Sequence, residues 1–181
     1  MAALEYTPGA LVQLQRRYTR VAPAELRSEL LRHILRVWEE KRNGRPWPAR
    51  RDLRPQDFAP YLRHLSLARV MAEGSDFELR IIGDEIVQAY GENFTGKSLS
   101  SIAEFVGDAV VGAYHSVVLE GSPIVLHGFF ERPRNHHFRR ELLLLPVGTD
   151  GGVDHVLSAG VLMPPEAGAD RDPDSARSAA A

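Results

Sequence analysis

The chain has no cysteine among its 181 residues, and that absence alone excludes disulfides, thiolate catalysis and cysteine-ligated zinc or iron–sulfur sites. Long hydrophobic runs are missing as well. No stretch approaches the roughly 18 consecutive apolar residues of a membrane-spanning helix, and the opening MAALEYTPGA lacks the basic-then-apolar order of a secretion signal. The expectation is a cytoplasmic protein without membrane insertion. Charge of one sign is also not in excess. Lys+Arg total 22 against Asp+Glu 24, a formal net charge of −2, so no overall field draws the chain to nucleic acid or anionic lipid. No basic recognition helix stands out either. Nucleophile motifs, phosphate loops and metal-ligand spacings are absent, so neither an enzyme nor a metal protein is expected.

What is there describes a folded chain. Hydrophobic residues make up 44% and charged residues 25%, ordinary values for a globular domain and too apolar for wholesale disorder. From Pro164 the tail PPEAGADRDPDSARSAAA has almost no large apolar residue with which to offset its ordering entropy, and residues 164–181 are expected to be disordered. Residues 1–22 form an amino-terminal extension, partly helical around Leu11, Leu14 and Tyr18 or flexible. Residues 23–163 remain as a single domain.

Within it, Leu26, Leu30, Leu31, Ile34, Val37 and Trp38 recur at helical spacing, which predicts an amphipathic helix over 23–42 that ends at Asn43-Gly44. A proline- and arginine-rich loop follows, RPWPARRDLRPQDF, its arginines read as a solvated, salt-bridged face. Leu65 to Met71 and the alternation of Phe77, Leu79 and Ile81 predict a hairpin across Glu73-Gly74-Ser75. Asp84 opens a short helix to Tyr90 that Gly91 closes. After the Thr95-Gly96 bend the spacing predicts one longer helix from Ser101 to about Glu120. Three strand-like runs finish the domain, IVLHGFFE, FRRELLLLPV and HVLSAGVLM, separated by turns. Hairpin-sized connections make the sheet antiparallel, with the helices on one face.

This order resembles the PAS domain, and the particular residues resemble a PAS-like family found largely in proteobacteria. The segments that carry the resemblance are GRPWPARRDLRPQDFAPYLRHLSLARV, DFELRIIGDEIVQAYGENFTGKSL and RRELLLLPVGTDGGVDHVLSAGVL, within residues 25 to 163. The resemblance implies an α+β fold: a five-stranded antiparallel sheet with helices across one face and an amino-terminal flanking helix. It further implies a sensory or regulatory module that takes a small-molecule ligand or a protein partner, and it carries no catalytic residue. With no kinase, cyclase, phosphodiesterase or DNA-binding segment outside these residues, the expected output passes in trans to an unidentified signalling protein. A homodimer is expected, with the 23–42 helix as its docking element.

Candidate pocket residues are Phe77, Leu79, Ile81, Tyr90, Phe94, Phe105, Tyr114, His127 and Phe129, because a pocket of this kind is walled by the same bulky side chains that would otherwise be core. Gly83, Gly91 and Gly96 are candidate hinges of a movable pocket wall. His115, on the long helix, is where a haem iron would be held in a gas or redox sensor, although no cofactor is required. His127 with Glu141 could transfer a proton if the domain were instead a small cone-shaped enzyme. His136-His137 reads as a polar turn and not as a metal site. Arg80 is expected on the outward side, while Arg139 and Arg140 take both faces of their strand, so that one of them points inward, toward an anionic ligand.

Overall fold

Ser28 sets the start of the first helix: its backbone is extended and its hydroxyl accepts a hydrogen bond from the Leu31 N–H at 3.4 Å, satisfying one of the donors that a helix start leaves open. Helix α1 runs Glu29–Arg42 and ends at Asn43, which is left-handed at φ 47°. The apolar spacing predicts a helix from residue 23, but Pro23–Glu25 is a separate 3-10 turn. The chain breaks there because the N–H groups of Arg27 and Ser28 are turned to a carboxylate of the sheet, Glu141, at 2.8 Å each.

The computed structural model describes residues 18–71, 74–132 and 136–163. The expectations for the extension up to residue 17 and for the tail 164–181 lie outside these residues. Six strands form one antiparallel sheet: β1 (Thr19–Val21), β2 (Leu65–Met71), β3 (Asp76–Ile82), β4 (Ile124–Arg132), β5 (His136–Thr149) and β6 (Gly152–Met163). Their spatial order is β1-β4-β5-β6-β2-β3. Five strands were expected. The sixth is β1, whose three residues pair with Val125 to His127 at the sheet edge; three residues are too few for a period of two to show in a sequence.

Between β3 and β4 lie α2 (Asp84–Tyr90), a 3-10 turn at Ser100–Ile102, α3 (Ala103–Val106) and α4 (Asp108–Glu120). The single long helix of the sequence reading is thus divided. Gly107, at φ 88°, is the break; a residue with a side chain would be strained there, and glycine is not.

Both faces of the sheet are covered. Leu65, Leu67, Val125, Leu143, Leu145 and Leu157 pack against Leu31, Ile34 and Trp38 of α1, together with Leu53 and Phe58 of the proline-rich loop. On the opposite, inner face, Ala68, Leu79, Leu126, Leu142, Leu144 and Val156 meet Val110, Ala113, Tyr114 and Val117 of α4. This explains the unbroken leucines at 142–145: a strand buried on both sides has no polar side to alternate with. Trp38 is 2% exposed and donates its indole N–H to the Pro146 carbonyl at 2.8 Å. Each large side chain buried this way stabilises the fold by about 1.5–3 kcal/mol. The apolar stripe of α1, expected to dock a second copy, is therefore occupied by the chain's own sheet. The loop is tied down by Lys41–Asp57 at 2.8 Å and Arg45–Asp52 at 2.6 Å.

Candidate ligand cavity

Three hydroxyls meet on the inner face of the sheet. Ser66 and Ser158 are register partners on β2 and β6, with their Oγ atoms 2.6 Å apart, and Tyr114 Oη of α4 lies 2.9 Å from Ser158 Oγ. All three residues are buried. Each satisfies another, which matters because a buried hydroxyl without a partner costs roughly 1–3 kcal/mol. Beside them is a space of about 50 Å³, walled by Leu79, Ile82, Phe94, Leu99, Val110, Leu142 and Leu144 among others. At roughly 10–15 Å³ per water, it holds only a few small molecules.

A second space, of about 220 Å³, lies against α2, His64, Phe138 and the end of β6 at Val161 and Leu162. Ile86, Tyr90, Arg140 and Gly160 line both spaces and so form the partition between them. Arg140 reaches this position because β5 alternates: Arg140, Leu142 and Leu144 point inward, and Glu141, Leu143 and Leu145 point toward α1. Its Nη1 donates to Tyr90 Oη at 2.6 Å and to Tyr18 Oη at 3.2 Å, and the guanidinium carbon is 5.3 Å from the Tyr90 ring centroid, within cation–π range. Burial works against the Arg140 charge, but the Tyr90 and Tyr18 oxygens more than offset it, so its pKa rises from an already high value. Burial likewise holds the Tyr90 phenol above its ordinary pKa, against the opposing pull of Arg140. The partition thus carries a permanent cation and a neutral phenol.

Of the candidate pocket residues, Leu79, Tyr90, Phe94 and Tyr114 line the inner space. Phe77 is buried deeper, with its ring edge-on to Tyr114 and His115 at 5.2 and 5.0 Å. Ile81 is turned away and 49% exposed. The cause is a bulge: Leu67 pairs with Ile81 but Ala68 with Leu79, leaving Arg80 as an extra residue, and the alternation shifts by one so that Ile82 faces the cavity in place of Ile81. Arg80 itself is exposed, ion-paired to Glu78 at 2.8 Å. Phe105 is 46% exposed and touches Phe94 from outside, with centroids 5.2 Å apart; the break at Gly107 leaves Val106 as the lining residue instead.

His127 and Phe129 share the Val125 side of β4, opposite Ile124 and Leu126, and so face away from the cavity. His127 does meet Glu141, Nε2 to Oε1 at 2.6 Å, yet this pair lies at the start of α1, where Glu141 also accepts from Arg27 and Ser28. The arrangement fastens a helix, and neither His127 nor Glu141 lines either of the two spaces. His115, the residue expected to hold a haem iron, is exposed on α4 and does not line the inner space. The backbone of His136 and His137 pairs with β4 as strand and not as a turn; their side chains lie outside the described residues. Gly91 and Gly96 are left-handed, at φ 76° and 84°. Gly83 differs, because a Cβ there would stand 2.3 Å from the Arg63 carbonyl oxygen: this glycine permits a close approach.

Sequence reasoning did not find Ser66, Ser158, Ile82, Ile86 or Gly160. A signal was present for the serines, since each is a small polar residue flanked by apolar ones within a strand, LSLA and VLSAGV.

An antiparallel sheet in this order, its inner face covered by the helices between β3 and β4 with a cavity between them, defines a domain of the sensory α+β class. The family model described as PAS domain matches residues 26–163, and the chain belongs to that family, whose members typically sense and signal. Solved structures similar to it include an RNA-binding Light-Oxygen-Voltage receptor, at 17% identity over 80% of this chain and 37% of that one, with a TM-score of 0.44. A Rhodobacter sphaeroides LOV protein shows 16% identity over 64% of each chain, with a TM-score of 0.43. The PAS domain from Bordetella pertussis BvgS shows 13% over 64% of this chain and 87% of that one, with a TM-score of 0.44. The chain spans 37% and 64% of the lengths of the first two. No curated protein sequence matches it. Among the described residues no helix is long and apolar enough to cross a membrane.

Proposed function

We propose that this PAS domain is a regulatory module in which the occupant of the cavity sets how firmly α1 is held, and that a signalling protein or a second copy of the chain reads α1. One observation carries the reading. Arg140 and Glu141 are neighbours on β5 and point to opposite faces, Arg140 into the partition between the two spaces and Glu141 onto the N–H groups that open α1. A shift of β5 that accommodates a ligand at Arg140 must move Glu141 as well. Two packed arrangements of one strand can serve as a switch when a ligand favours one of them. The apolar stripe of α1 becomes available to a partner only as the helix loosens, since its own sheet covers it otherwise.

Hydrogen exchange followed by mass spectrometry tests this. Arg140→Met, which alters only the cavity side, is expected to raise exchange in residues 27–42 at least several-fold while β2 and β6 keep their protection. Unchanged exchange in 27–42 would sink the proposal.

A further inference from the structure

The three hydroxyls on the inner face of the sheet leave one hydrogen over. Ser66, Ser158 and Tyr114 each carry one O–H to donate, and two contacts join them, Ser66 Oγ to Ser158 Oγ at 2.6 Å and Tyr114 Oη to Ser158 Oγ at 2.9 Å. Two contacts use two hydrogens. Among the described residues these side chains have no further hydrogen-bond partner, so the third hydrogen has no acceptor in the protein. A phenol is a stronger donor than an aliphatic alcohol, which commits the Tyr114 hydrogen to Ser158 and leaves the surplus on one of the two serines. None of the three residues is more than 8% exposed, and a buried donor without an acceptor is costly. All three line the space of about 50 Å³, and the surplus hydrogen opens onto it.

Size, polarity and charge name the class of molecule that would take it. At roughly 10–15 Å³ for each water-sized position, the space holds about three to five non-hydrogen atoms. Beside the hydroxyls its wall is Leu79, Leu99, Val110, Leu142 and Leu144. A buried water needs about two to four polar partners, so the hydroxyl corner serves a single water and the rest of the space favours carbon. Arg140 and Tyr90, on the wall shared with the groove against α2, are engaged with each other and are not needed by such an occupant. We infer that the inner space is a binding site for a small neutral molecule with one oxygen acceptor on a compact apolar body, the oxygen held by the Ser66–Ser158 hydroxyls. The assignment rests on the reading of the cavity as the input site, and it adds the class of molecule that enters.

Acetone, isobutene and acetate share one planar, branched shape and differ in polarity and charge. Titration of the full chain with each, followed through the methyl NMR signals of Leu79, Val110, Leu142 and Leu144, tests the assignment. Acetone is expected to move these signals and to saturate in the millimolar range, in keeping with so few atoms, while acetate at the same concentration leaves them in place. Replacing all three hydroxyls together, by Ser66→Ala, Ser158→Ala and Tyr114→Phe, should weaken acetone at least about fivefold, the usual worth of one hydrogen bond, and leave isobutene unweakened. Tyr114→Phe alone removes one hydroxyl and one contact, keeps a surplus hydrogen, and should hold acetone to within about twofold of the unaltered chain. Equal weakening of acetone and isobutene in the triple variant, or of neither, overturns the role of the hydroxyls while leaving an input cavity in place. Stronger binding of acetate than of acetone overturns the assignment in favour of an anion. Unmoved signals at every acetone concentration that leaves the fold intact overturn it outright. The exchange of α1 in Arg140→Met, measured without ligand, judges the underlying reading separately. Should the triple variant fail to fold, acetone against acetate on the unaltered chain and acetone on Tyr114→Phe still decide.

Discussion

Glu141 is 0% exposed and receives three hydrogen bonds, from Arg27 N–H, Ser28 N–H and His127 Nε2. A carboxylate so placed is tolerable only because every donor around it is aimed at it. Removing it leaves two backbone N–H groups and an imidazole facing an apolar wall. Glu141→Ala is therefore expected to lower stability by about 3–5 kcal/mol, read as a drop in the urea midpoint. His127→Ala removes a single donor and should cost about 1.5 kcal/mol. A charged residue in the middle of FRRELLLL marks itself as unusual, and so Glu141 was legible as a candidate. Its side of the strand was not, because leucines on both faces of β5 erase the alternation that would have shown it.

Helix α2 has no fully buried side chain, while two of its residues, Ile86 and Tyr90, separate the inner space from the groove. Low burial with a wall role is what a movable element requires. Its anchor, however, is rigid. The Gly83 N–H donates to the Leu65 carbonyl at 2.8 Å, and its Cα is packed against the Leu62–Arg63 backbone so closely that a Cβ would overlap it. Gly83→Ala is expected to cost about 1–3 kcal/mol, a fall in melting temperature of roughly 3–10 °C, whereas a free hinge would tolerate the methyl. The element order was readable from helical spacing, hairpin turns and glycine stops. Three details were not: the three-residue β1, the break at Gly107 inside an otherwise continuous apolar stripe, and the bulge at Arg80. In the last case DFELRII reads as plain alternation, and only the pairing with β2 reveals the slip that exchanges Ile81 for Ile82.

Taken whole, the molecule is three layers, α1 with its loop, the sheet, and the α2–α4 cover, held at the edges by carboxylates. The hydrogen bond from Lys41, helped by the Arg54 N–H, holds Asp57 below the usual carboxylate pKa, and Arg45 with the Ala49 N–H does the same for Asp52. Arg20 lowers Glu120, and Arg80 with Arg69 lowers Glu78. At Asp76, burial pushes upward but hydrogen bonds from Ser100 and the Phe77 N–H outweigh it. Because all five are depressed in the folded state, their contribution is complete above the unfolded carboxylate values of about 4 and is lost as pH falls through the lower folded values. Urea midpoints should be level from pH 7 to 5 and decline by pH 3; a midpoint at pH 3 equal to that at pH 7 would exclude these contacts as contributors.

The coupling of cavity to α1 across β5 is most directly measured by a double-mutant cycle between Arg140→Met, on the inner face, and Ser28→Ala, at the helix start. If one strand connects the two sites, their effects on unfolding free energy depart from additivity by at least about 0.5 kcal/mol; additivity within about 0.3 kcal/mol would show that the two faces of the sheet act independently.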